Sequence, residues 1–178
     1  MASFTRGKIN QYLDNGLIEI SPFESKNVEC NSYDYRLDPE FRSTAHLGPE
    51  DILDTREKIN LPLFHIREYV TLYPGVLYLM STLEKFKLSD SVEAFVDGRS
   101  TLARYGISTH LTAGNIKPGF TGKITLEVTC VHPVKVYPNM KFGQIMFSHT
   151  DGPPATYSGR YQNQETAQSP FSLLLEGE

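Results

Sequence analysis

The sequence predicts a mainly β protein. Three observations carry this expectation: 13 glycines and 11 prolines are spread along 178 residues, the apolar runs are short and alternate with polar residues, and turn-forming pairs separate them at roughly even intervals. A chain of this length can bury roughly 70% of its unfolded surface, so a core without staples is expected. One domain spanning residues 1–178 is the simplest organisation, because no composition shift, internal repeat or low-complexity tract divides it.

The elements follow in order. Residues 3–16 predict a helix: Ser3 or Thr5 can cap it, Ile9, Tyr12 and Leu13 recur at i, i+3 and i+4, and Asn15-Gly16 supplies a left-handed end. A short strand over 17–20 stops at Ser21-Pro22. Strands are then expected over 32–37, 69–72, 76–81 and 92–96, with Tyr73-Pro74-Gly75 as a turn between two of them. Residues 43–60, rich in charge and holding His46 and Gly48-Pro49, read as a loop excursion.

Composition excludes several function classes. A charged fraction of 21% beside a hydrophobic fraction of 39% is that of a soluble globular protein. A net charge of −4 provides no basic field for polymeric nucleic acid, so an anionic ligand must be held by a few placed groups. No apolar run is long enough for a membrane span, and MASFTRGKINQYLD has no apolar signal region, so a cytoplasmic protein is expected. Cys30 and Cys130 are too few for a disulfide framework or structural zinc site, and both are read as reduced, buried small residues.

The chemistry concentrates in DGRSTLARYGISTHLTAGNIKPGFTGKITLEV, residues 97–128. Asp97-Gly98 predicts a turn, followed by about two helical turns over 99–105 closed by Gly106. Ser100 and Thr101 would then stand at a helix N-terminus, where free N–H groups and hydroxyls suit an anion and Arg99 adds a full charge. The plainer alternative makes Ser100 an ordinary cap and Arg99 a solvated side chain. Ser100 and Arg104, four apart, share one helix face. Over 122–128, alternation turns Ile124, Leu126 and Val128 one way and Thr125 and Glu127 the other. Glu127 is thus either a solvated carboxylate or, enclosed beside an arginine, a proton carrier. His110 reads as a packing residue, and His46, His65 and His149 have no evident partner.

This run closely resembles dCTP deaminase, within the trimeric dUTPase-like superfamily. GRSTLAR is similar to the family's GRSSLAR-type motif, HLTAGNIKPGF to its H-x-TA-x-x-IDPGF segment, and GKITLE to the strand bearing its catalytic glutamate. INQYLDNGLIEISP resembles its opening helix and strand, SYDYRL its S-x-D-x-RL strand, YPNMKFGQIMF its Pro-Gly-Met-type turn and following strand, and YSGRYQNQ its phosphate-closing C-terminal segment. The resemblance covers most of the chain in the family's order.

It implies a distorted antiparallel β-barrel, dUTPase-like and jelly-roll-related, with an N-terminal helix and a short helix after the GRSTLAR turn. It also implies a homotrimer with active sites between subunits, and a C-terminal flap near residues 152–178 over the nucleotide. Glu127 would be general base and acid, Arg104 its orienting partner, and Ser100 with the Ala113 carbonyl would place the water and the cytosine amino group. Arg99, Ser100, Thr101, Arg104, Ala113, Lys117, Thr125 and Glu127 would form the nucleotide site, joined by Tyr157, Arg160 and Gln164 from the flap. Arg160 replaces a family lysine, which keeps the charge and changes the geometry. The implied substrate is dCTP, with magnesium carried on its triphosphate and dTTP a candidate inhibitor. The zinc deaminases need H-x-E followed by P-C-x-x-C, which this sequence lacks, so a zinc-independent reaction is expected.

One position departs from the family. Lys117 stands where the family carries an aspartate that meets the sugar 3′-hydroxyl and, in the dUTPases, orients the water attacking the α-phosphate. A protonated lysine is only a donor; the plainer alternative is a shifted loop in which Lys117 points to solvent while a neighbour takes over. Deamination of dCTP to dUTP and ammonia, without efficient pyrophosphate release, is therefore the leading expectation. A bifunctional enzyme continuing to dUMP, suggested by TAG at 112–114, is the second. A nucleotide-binding regulator without turnover is the third.

Overall fold

The computed structural model describes residues 3–48 and 50–172. Helix α1 (Arg6–Asp14) buries Ile9 and Tyr12, starts after Thr5 in extended conformation and ends before Gly16, whose φ is +67°. It is shorter than expected at both ends, and Thr5 makes no side-chain cap bond. Tyr12 Oη and His149 Nε2 form a 2.7 Å hydrogen bond, which gives that histidine a partner.

Twelve strands follow among the described residues: β1 (Ile18–Ser21), β2 (Tyr33–Arg36), β3 (Glu40–Ser43), β4 (Leu63–His65), β5 (Val70–Leu72), β6 (Tyr78–Leu88), β7 (Val92–Gly98), β8 (Ile107–Ser108), β9 (Asn115–Ile116), β10 (Thr121–Cys130), β11 (Val134–Val136) and β12 (Lys141–His149). A second short helix, α2 (Ser100–Arg104), lies between β7 and β8. One sheet runs β4-β3-β6-β10-β8, with β1 also on β6; a second runs β2-β12-β7-β9, and β11 pairs with β5. Every pairing of these strands is antiparallel. The expected distorted barrel takes the form of these sheets curled about one core, without a single closed ring of hydrogen bonds among the described residues.

The core follows from strand alternation. Tyr33, Tyr35, Met80, Phe86, Leu126, Phe142, Ile145 and Phe147 are fully buried, one face of each strand supplying the interior. Residues 44–62 hold no helix or strand among those described, as expected of the excursion. No described helix is long and apolar enough to cross a membrane.

Three local expectations change. Asp97 and Gly98 do not form a turn: they stay in β7, opposite Gln144 and Gly143 of β12. Two glycines facing each other let the strands remain paired to the end, and the Asp97 carboxylate accepts from the Gly98 N–H at 2.7 Å. Consequently α2 is one turn with Arg99 as its N-cap residue, and Ser100 is its first helical residue. Strand β6 runs well past the expected 76–81, because Lys85 and Lys87 alternate with buried Phe86 and Leu88. Cys130 is buried as expected, but Cys30 is exposed, in the connection just before β2.

Candidate active site

The apolar half of β10 fixes the rest of the strand. Ile124, Leu126 and Val128 are buried, so Thr125 and Glu127 are presented on the opposite face, with Glu127 across from Leu79 of β6. The register shifts between Lys123 and Thr125. There the Ile124 N–H is satisfied by Thr82 Oγ1 at 2.9 Å instead of by the ladder.

The loop 109–114 passes in front of Glu127, and the Thr112 N–H points at its Oε2 from 3.4 Å. Gly114 anchors the loop by accepting from the Val96 N–H at 2.9 Å. A Cβ on Gly114 would lie 2.9 Å from the Val96 carbonyl and 3.0 Å from the Phe95 ring, so the loop can lie this close only with glycine there. Lys117 then opens a turn in which Phe120 N donates to Lys117 O at 3.2 Å, with Gly119 at φ +76°. The Lys117 side chain is exposed.

The C-terminal segment folds back onto this strand and turn. Tyr157 N donates to Pro118 O at 2.8 Å, Gln162 receives the Thr121 N–H at 2.9 Å, and Lys123 N donates to Gln164 O at 2.9 Å. Thr125 Oγ1 donates to Gln164 Oε1 and accepts from Gln168 N, both at 3.2 Å. Between these walls lies a cavity of about 630 Å³ whose lining includes Ala113, Lys117, Thr125, Glu127, Tyr157 and Gln164. Glu127 is the one carboxylate among its lining residues. Both ring nitrogens of His110, which also lines it, are buried without a hydrogen-bond partner among the described residues.

Arg99, Ser100 and Thr101 line a different cavity, of about 350 Å³, together with Asp34 and Gln144 among others. The sequence-expected site is thus divided. Six of its residues share the first cavity, three share the second, and Arg104, exposed on α2, and Arg160 line neither. No ion pair joins Glu127 to Arg104 within the chain among the described residues. Arg160 donates to the Ser172 carbonyl at 3.1 Å. The part of the expected flap at 173–178 lies outside the described residues.

Sequence reasoning missed Asp34 and Gln144 in the second cavity and Gln162 in the C-terminal segment. Asp34 and Gln144 stand inside quoted segments, SYDYRL and YPNMKFGQIMF, and their polar side chains on otherwise core-forming strands were the available signal.

Comparison with known proteins bears on this geometry. A family model described as dCTP deaminase-like matches residues 3–150. A protein of Kocuria rhizophila named dCTP deaminase, dUMP-forming, is 36% identical over 169 residues, 88% of this chain and 87% of its own. One of the same name from Streptomyces coelicolor is 34% identical over 177 residues, 93% of each chain. Among solved structures, the 2′-deoxycytidine 5′-triphosphate deaminase from Agrobacterium tumefaciens superposes with a TM-score of 0.64 at 19% identity, a likeness of fold that covers 82% of this chain and 47% of that one. Together with motifs that fall on the two cavities, the match over most of its length means that this chain belongs to the dCTP deaminase-like family.

Proposed function

We propose that the chain deaminates dCTP and then hydrolyses the bound product to dUMP and pyrophosphate. This corrects the expectation that dUTP is released: the relatives at 36% and 34% identity are named dUMP-forming. That expectation assigned activation of the second water to position 117, where a lysine cannot act as base. The observation that carries the present reading is Glu127, the one carboxylate among residues lining the first cavity.

In the first step Glu127 takes a proton from water as the oxygen attacks C4 of the cytosine ring. It passes protons to N3 and to the departing ammonia, so one carboxylate serves both directions. Ser100 and the Ala113 carbonyl would hold the water and the amino group. In the second step a water attacks the α-phosphate and pyrophosphate leaves. Glu127 is the candidate to orient that water, with the Lys117 ammonium a donor to nearby oxygens. Magnesium enters as part of the substrate, bound to the triphosphate.

This chemistry needs Ser100 and Arg104 beside Glu127, which fits a homotrimer whose sites join the first cavity of one protomer to the second cavity of its neighbour. Exposed apolar residues beside these elements, Phe95, Tyr105, Leu111 and Val131, support such an interface. The residues from Tyr157 onward would contribute the closing flap.

Incubation with dCTP and magnesium tests the reading. Ammonia, pyrophosphate and dUMP in equal amounts are expected; accumulation of dUTP at the level of ammonia would overturn the second step.

A further inference from the structure

We infer that Lys141 is a positioning residue for the phosphate cradle, acting through Asp34 to keep Arg99 available to the nucleotide. The inference rests on the reading of Arg99, Ser100 and Thr101 as triphosphate ligands. Asp34 is buried on β2, 3% exposed, and lines the same cavity as those three residues. Its Oδ2 accepts a hydrogen bond from Lys141 Nζ at 3.1 Å and lies 3.4 Å from Arg99 Nη2. One carboxylate oxygen therefore meets two cations, one from β12 and one from the cap of α2.

A carboxylate this deeply placed must be paired, and the two contacts are unequal. Lys141 makes the hydrogen bond. The Arg99 contact, at 3.4 Å against 3.1 Å for Lys141, is an ion pair without a hydrogen bond, so the guanidinium is steered by the charge and its N–H groups donate no hydrogen bond among the described residues. Arg99 and Lys141 keep side-chain exposures of 36% and 32%, so both side chains still reach solvent, and Arg99 lines the cavity. One negative and two positive groups leave the trio with a net positive charge, which a triphosphate can use. Without Lys141 the trio is neutral, and Asp34 has only Arg99 to satisfy it. The guanidinium would then close on the carboxylate as a two-pronged pair, its N–H groups turned away from the cavity.

Charge balance separates this role from a structural one, in which Lys141 merely fastens β12 to β2. Lys141→Met is expected to raise KM for dCTP about tenfold, with kcat changing less than KM, and Lys141→Arg to stay near wild type. Asp34→Asn combined with Lys141→Met removes one charge of each sign and restores the net positive trio. KM should therefore fall back most of the way toward wild type, although two native groups are gone. A KM unmoved by Lys141→Met, or a double variant worse than either single one, would overturn the inference. Arg99→Met, run alongside, keeps the two levels apart. If it raises KM while Lys141→Met does not, the cradle stands and the positioning role fails; if it leaves KM unchanged, the cradle reading fails and takes the inference with it.

Discussion

Glu84 is fully buried on β6, and its carboxylate receives two hydrogen bonds from Arg36 of β2, 2.7 Å from Nε and 2.8 Å from the backbone N–H. Arg36 also reaches Glu24, and its Nη2 donates to the Pro22 carbonyl at 3.2 Å. This pair joins the two larger sheets where their strands pass inside the core.

Breaking that pair should be costly. Glu84→Gln is expected to destabilise the protein by about 1–3 kcal/mol at acidic pH, because the amide puts a donor in place of one of the two oxygens that accept from Arg36. Burial pushes the Glu84 carboxyl above its ordinary 4.5, so the folded chain holds this proton more tightly than the unfolded one. The stability this group contributes is therefore fully present below that ordinary value and is lost as pH rises through the raised one. Urea melts of wild type and Glu84→Gln should show the wild-type advantage shrinking as pH rises above about 4.5. An advantage that grows over the same range would mean that Arg36 outweighs burial.

Gly143 is a position that admits no side chain. A Cβ there would collide with the Tyr35 hydroxyl and come within 2.6 Å of the Asp97 carbonyl. Gly143→Ala should cost at least about 1–3 kcal/mol in thermal or denaturant unfolding, the range for overpacking a core. A melting temperature equal to wild type would show that Tyr35 can swing aside.

Thr125→Val removes the hydroxyl that ties Gln164 and Gln168 to β10 while keeping the shape. The loss should be about 1–2 kcal/mol, and limited proteolysis should cut the segment after Tyr157 faster than in wild type. Unchanged cleavage would place the hold on this segment in Gln162 and the backbone bonds instead.

Glu127→Gln should keep nucleotide affinity near wild type and lower ammonia release by about 10²- to 10⁴-fold. The same variant supplied with dUTP should lose pyrophosphate release as well. If only ammonia release falls, another group orients the second water.

The parts of the fold that local pattern governs were legible in the sequence. Helix α1 showed its 3.6-residue period and its glycine end, and β10 showed a clean alternation that turned Glu127 off the core face. Asp97-Gly98 misled because its fate depends on Gly143, 45 residues later, which no local rule connects to it. Strands β3 and β4 were missed because the charged excursion separates them and each is short. The grouping of GRSTLAR with Glu127 came from the family's order of motifs. Within one folded chain those motifs open on separate cavities, a fact of tertiary placement that spacing along the sequence does not carry.

The proposed active site is completed by two protomers, and mixing two inactive variants tests this most directly. Glu127→Gln and Arg104→Ala, each inactive alone, are unfolded together in equal amounts, refolded and assayed for ammonia release from dCTP. Random assembly of trimers should restore up to about a quarter of wild-type activity, because each mixed trimer contains one interface with both native residues. No recovery, from mixtures shown to contain hybrid trimers, would contradict the account.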